Sequence, residues 1–428
     1  VSAAEVSRAV ERAARESYGR LVAILAARTR DVAAAEDALG DAFAAALARW
    51  PAQGVPERPE AWLVAAARRR LLDGRRRTRV RDAAEPALAH AADDAAQSAA
   101  LDAVDALESD ALPDRRLALL FACAHPAIDP AVRTPLMLQA VLGLDAAAVA
   151  AAFLTAPAAM AQRLVRAKRK LRDAGVPFAV PERAELAPRL EAVLEAIYGA
   201  FGAGWDAVAG GDAQRADLAD EAIWLGRLVV DALPDEPEAR GLLALMLYCH
   251  ARRAARHDRD GAYVPLSAQD AARWDAALVG EAEALLSAAA RALRPGRFQL
   301  EAALQSAHLA PAYGRARDWG AIAALYDALA RHAPTVGVLV GRAAAIGEAR
   351  GAAAGLDAAD AIVGDGVDGY QPWWALRAHL LARAGRAAEA RAAYGRAAGM
   401  TADASVRAFL LARRDAGGVV GPDERVQT

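Results

Sequence analysis

Cysteine is nearly missing from this chain, aromatic residues are scarce, and no long apolar run escapes interruption. Each shortage excludes something. Two cysteines, Cys123 and Cys249, cannot build a disulfide framework, which fits a reducing compartment. Aromatic residues make up 5% of the 428 positions, and the hydrophobic share of 55% is inflated by alanine. Such a composition favours helix nearly everywhere. The first twenty residues carry three Glu and four Arg and lack the apolar segment of a secretory signal. The apolar stretches 117–132 and 146–162 are broken by Pro126 and Pro157, so neither makes a membrane span. A soluble, cytoplasmic protein is expected.

Signatures of catalysis are wanting too. There is no Gly-rich phosphate loop after a strand, no Ser/His/Asp context and no evident pair of catalytic carboxylates. Cys249, His250 and His257 fall close together, but a zinc site needs three or four converging ligands and no second Cys/His pair is near. A buried thiol and surface histidines are expected there, while Cys123 and His125 sit in an apolar segment and read as core. Asp357, Asp360, Asp365 and Asp368 lack calcium-loop spacing. Neither enzyme activity, metal nor cofactor is expected.

What is present is segregated charge. The net charge of −2 hides a net +6 over residues 1–81, −8 over 82–130, +6 over 131–172 and −6 over the remainder. Two basic segments joined by an acidic one suit a bipartite nucleic-acid binder with an appendage. Between Asp31 and Trp50, the residues Ala35, Ala38, Leu39, Ala42, Phe43, Ala46, Leu47 and Trp50 form a helical core stripe. Glu36, Asp37 and Asp41 lie off it, as a solvated acidic face or a docking face for a basic partner. After a proline-rich loop, Arg68, Arg69 and Arg70 recur as Arg75, Arg76 and Arg77. Seven residues are two helical turns, so six guanidiniums line one strip, where phosphate is the obvious counter-anion. Trp62 reads more readily as core than as a platform for an unpaired base.

The stretch from Asp145 to Gly175 reads as a helix-turn-helix. Asp145 caps the first helix and Pro157 opens the second. Met160, Leu164, Ala167 and Leu171 make its inward stripe, and Gln162, Arg163, Arg166, Arg169 and Lys170 its outward face. Major-groove readers present amides and guanidiniums in this way; the plainer alternative is an amphipathic hairpin with a solvated basic face. Beyond Pro181 the chain reads as paired helices. Trp374, Ala378, Leu381, Ala390, Tyr394 and Ala397 stand at the offsets of a tetratricopeptide (TPR) repeat. A strand-like stretch is expected only near 261–266.

These residues resemble a known family. AAEDALGDAFAAALARWPAQGVPERPEAWLVAAARRRLLD, from Ala34, is similar to the promoter-opening domain of bacterial sigma factors of the extracytoplasmic-function (ECF) type. FACAHPAIDPAVRTPLMLQAVLGLDAAAVAAAFLTAPAAMAQRLVRAKRKL, from Phe121, is similar to their helix-turn-helix domain. RADLADEAIWLGRLV and DGYQPWWALRAHLLARAGRAAEARAAY resemble blocks of the TPR-like extension of one subgroup. The resemblance implies an all-α fold: a region 2-like domain at 1–81, an acidic linker at 82–109, a region 4-like helix-turn-helix domain at 110–180 and a TPR-like, regulatory extension at 181–428. It implies that Glu36, Asp37 and Asp41 dock on the clamp of the largest subunit of core RNA polymerase. Trp62 and the arginines at 68–70 and 75–77 would meet the −10 element of promoter DNA. Gln162, Arg163, Arg166, Lys168 and Arg169 would meet the −35 element, near the flap of the second polymerase subunit. Beyond what the resemblance implies, Asp368, Gly369, Tyr370, Trp374 and Arg377 are expected to form a regulatory contact between extension and sigma domains. Ala156, Pro157 and Ala159 stand where family members carry a cap residue, Glu and Thr, which favours thymine-methyl or shape readout. The rival readings are a TPR-type protein-interaction scaffold and a stand-alone helix-turn-helix repressor.

Overall fold

The computed structural model describes residues 3–82, 115–153, 155–206, 213–364 and 366–416. Among them the chain is all-α, with eighteen α-helices, short 3-10 segments and no strand. The strand-like character expected near 261–266 reduces to one isolated antiparallel bridge, His257 to Tyr263. No helix among the described residues is long and apolar enough to cross a membrane. The chain divides into two compact units, Val1–Ala203 and Gly204–Thr428. Both basic segments expected as separate domains fall inside the first. Apart from Asp82, the acidic linker expected at 82–109 lies outside the described residues.

In the first unit, α1 (Ala3–Thr29), α2 (Val32–Gln53) and α3 (Pro59–Asp82) pack on one another. Asp31 starts α2 by accepting a hydrogen bond from the Ala34 N–H at 3.1 Å, a cap worth roughly 1 kcal/mol. Ala35, Ala38, Leu39, Ala42, Ala46 and Trp50 are buried. The expected stripe also held Phe43 and Leu47, but Phe43 is half-buried and Leu47 is 48% exposed. At about 100° per residue they sit at the edge of the stripe, past the face covered by neighbouring helices. Trp62 is half-buried, with its ring edge-on to Trp50 at 5.4 Å between centroids.

Four shorter helices follow: α4 (Arg116–Cys123), α5 (Pro130–Ala140), α6 (Ala146–Ala152) and α7 (Pro157–Asp173). Asp129 caps α5 through the Ala131 N–H, and the helix runs through Pro135, forgoing one backbone bond. Cys123 is fully buried, as expected, but His125 is half-exposed in the turn after α4, its Nδ1 accepting from the Ala127 N–H at 3.1 Å. The turn leaves the apolar helix face, so the ring cannot join the core. The next helix, α8 (Arg183–Asp206), runs past the boundary between units.

The second unit holds α9 (Ala213–Ala232), α10 (Pro237–Ala251), α11 (Ala276–Ala290), α12 (Arg297–His308), α13 (Trp319–His332), α14 (Val336–Arg350), α15 (Ala352–Asp360), α16 (Gln371–Arg383), α17 (Ala387–Met400) and α18 (Ala404–Asp415). Helices adjacent in sequence pack on each other down the unit. Asp275, Asp318, Thr335 and Asp403 each cap a helix through a side-chain oxygen. Ala378, Leu381, Ala390, Tyr394 and Ala397 are buried where α16 meets α17, and Gly385 takes a φ of +77° in the turn between them. Cys249 is half-buried beside Arg252, which also donates to Gln305 at 2.9 Å. His250 is not the surface histidine expected: it is half-buried, with Asp220 at 3.4 Å.

Candidate nucleic-acid and polymerase interface

The helix α7 is shaped by its own periodicity. Met160, Leu164, Ala167 and Leu171 are buried, and α6 and α5 pack against it. Asp145 caps α6 through the Ala148 N–H at 2.7 Å, so the expected cap forms without a Glu at the third helical position. Ala156 caps α7 without a side-chain bond. Gln162, Arg163, Arg166, Arg169 and Lys170 are exposed. Arg169 has Asp173 at 3.4 Å in an exposed pair, which contributes little. In the midst of this polar face Val165 is 67% exposed. Sequence reasoning missed it, although a β-branched residue off the apolar stripe is a visible signal. An exposed methyl pair among amide and guanidinium donors is the chemistry that meets a thymine methyl in a major groove.

The helix α3 supplies the second basic face. Arg69 and Arg70 are exposed, and Arg70 lies 3.6 Å from Asp41. Arg68 is half-buried: its Nε and one terminal nitrogen have no acceptor among the described residues. Burial and the nearby Arg28 guanidinium pull its pKa down. Two cations together with unfilled donors favour a phosphate oxygen between them. The side chains of Arg75, Arg76 and Arg77 lie outside the described residues.

The acidic helix α2 presents Asp37 and Asp41 on one exposed face. Glu36 does not share it. One residue earlier means a turn of about 100°, and Glu36 instead meets Lys168 of α7 in an ion pair. The two side chains are 15% and 9% exposed. Lys168 stands beside the buried Ala167, off the outward face. In this arrangement neither Glu36 nor Lys168 is presented to an outside partner. Burial pushes the Glu36 carboxyl up, opposed by the Lys168 ammonium. At the rim, Arg172 approaches Asp31 at 3.7 Å.

Two further contacts knit the same two helix groups. Gly19 of α1 lies so close to the end of α5 that a Cβ there would overlap the Val141 carbonyl. Tyr18 packs on Gly143, whose φ of +68° turns the chain toward α6. Cys123 lies within the influence of both Glu36 and Lys168, and burial pushes its thiol up to about 12.

In the second unit, the expected regulatory residues are engaged locally. The Trp374 Nε1–H donates to the Asp368 carbonyl at 3.0 Å, and Arg396 stacks on the Trp374 ring at 4.0 Å. Arg377 pairs with Asp360 and lies over Trp373 at 4.9 Å. Tyr370 is half-buried and Gly369 exposed. Among the described residues, no group of three or more His, Cys, Asp or Glu is placed to hold a metal ion.

Over residues 14–81 the chain matches the family described as Sigma-70 region 2, which implies binding to core RNA polymerase and promoter DNA. Residues 189–290 match a family of unknown function, DUF6596. A protein of Rhizobium meliloti (strain 1021), Uncharacterized protein R00370, is 38% identical over 387 residues, covering 90% of each chain. No solved structure matches the chain. With that likeness over nearly its whole length and a region 2 domain on α1–α3, the chain belongs to the family of this Rhizobium protein and has a sigma factor-like role in transcription initiation.

Proposed function

We propose that the chain is an ECF-type sigma factor whose own C-terminal extension modulates its output. The observation that carries this reading is the placement of complementary surfaces on the first unit: exposed Asp37 and Asp41 on α2, exposed arginines on α3, and the basic outward face of α7. Asp37 and Asp41 dock on the clamp of core polymerase. Arg68, Arg69 and Arg70 hold −10 phosphates, and Gln162, Arg163, Arg166 and Arg169 meet the −35 element. Phosphate contacts from both faces supply affinity with a steep salt dependence, and α7 supplies register. Bond formation belongs to the polymerase. The second unit, a stack of helix pairs with a TPR-like final pair, suits a protein partner or another part of the chain.

Run-off transcription with core polymerase and a promoter library tests this reading. The full chain should yield discrete start sites, and removing residues 207–428 should change their yield. No transcript from either form contradicts the sigma reading. Equal output with and without the extension contradicts the regulatory role.

A further inference from the structure

Among the described residues of the second unit, the Arg252 guanidinium meets neutral partners and no carboxylate. It stands half-buried at the C-terminal end of α10. One terminal nitrogen donates to the Gln305 amide oxygen at 2.9 Å and approaches the Cys249 sulfur at 3.9 Å. Its Nε–H is buried and has no acceptor among the described residues. The acids on neighbouring turns are committed elsewhere. Asp258 and Asp275 accept backbone N–H groups of their own turns, Asp318 caps α13, and Glu301 pairs with Arg297 at 2.7 Å.

A second donor without an acceptor adjoins the first. Gln305 and His308 lie one turn apart on α12 and are neighbours on its surface. Gln305 takes the Arg252 bond, while the His308 ring sits edge-on to Trp319 at 5.8 Å between centroids. The Trp319 Nε1–H is buried and has no acceptor among the described residues. Burial, with the charges of Arg317 and Arg252, pulls the His308 pKa down to about 3, so two positive charges reach one buried, neutral ring. The turn Ala271–Arg273 packs on Ala310–Tyr313. Trp274, directly after the first of these turns, adds another buried Nε1–H with no acceptor among the described residues. Unmade donors are costly, above all on a charged group. Several donors in a positive field are complementary to an anion with more than one oxygen.

We propose that Arg252, Trp274 and Trp319, backed by the charge of Arg317, form a binding site for a small oxyanion, a carboxylate or a phosphate. The anion accepts from the Arg252 Nε–H and the indole N–H groups and supplies the counter-charge that the surrounding acids do not. Arg252 and Trp274 are half-buried, so the site opens to solvent on one side, yet its donor atoms are buried. A small ligand reaches such atoms, and a broad macromolecular surface does not. The inference goes beyond the sigma reading, since it gives the second unit a ligand of its own whatever the first unit binds.

Titration calorimetry of the full chain with inorganic phosphate and, separately, with succinate tests the site at constant ionic strength. One saturable, Arg252-dependent site per chain is expected for at least one probe, and the probe that saturates distinguishes a phosphate from a carboxylate ligand. Arg252→Gln should weaken that binding at least tenfold. Trp319→Phe keeps the ring, removes the Nε1–H donor and should weaken binding by roughly fivefold. No saturable binding of either probe would overturn the proposal. Unchanged affinity in Arg252→Gln or in Trp319→Phe would also overturn it. Should Arg252→Gln lose its helical circular dichroism, Trp319→Phe decides alone.

Discussion

At the scale of single residues, polarity and periodicity decide which side chains face a partner. Asp37 and Asp41 are exposed and one turn apart on α2, so reversing both to Lys should weaken binding to core polymerase more than tenfold while leaving the helical spectrum unchanged. On α7, Arg166→Ala or Arg169→Ala should weaken promoter binding uniformly across sequences and lower the salt slope by about 1 each. Val165→Ser should act differently. It should shift base preference at one position, with a penalty of roughly 1–3 kcal/mol for the formerly preferred base, measured by binding to single-substituted promoters. Residue identity made the outward arginines legible in the sequence. It did not reveal Lys168, whose direction is set by a carboxylate 132 residues away. No local period carries that information.

At the scale of elements, the helices follow from local rules and their faces from neighbours. The stripe of α7 is buried at all four positions that its period names. The buried stripe of α2 is narrower than its apolar pattern at Phe43 and Leu47, because a sequence shows which residues are apolar but not how much of a helix a neighbour covers. The cap at Asp145 was legible in the sequence, and Asp31 caps α2 by the same chemistry without having been named for it. The α7 start is the exception, with Ala156 offering no side-chain bond. Ala156→Ser should therefore stabilise the first unit by about 0.5–1 kcal/mol, and Asp145→Ala should destabilise it by roughly 1 kcal/mol. Urea midpoints of the two variants check both signs.

At the scale of the whole molecule, two compact units carry different chemistry. The first gathers the charged faces. The second buries titratable groups that do not serve them. His308 is buried beside the Trp319 ring, and burial together with Arg317 and Arg252 pulls its pKa down to about 3. The unfolded chain binds that proton near its ordinary value of 6.5, so unfolding takes up a proton between those limits. Stability is then full above about pH 6.5 and is lost as the pH falls toward 3. Denaturation midpoints between pH 7 and 5 should fall in the wild type, with a shallower fall in His308→Gln. The division of the chain into units was only partly legible, since charge segregation marks the basic segments but not that they pack together through Gly19, Glu36 and Lys168.

The sigma factor-like role is tested most directly by co-elution of the purified chain with bacterial core RNA polymerase on a sizing column. A stoichiometric complex is predicted, and it should be lost on charge reversal at Asp37 and Asp41. No complex with the full chain or after removal of residues 207–428 would contradict the account.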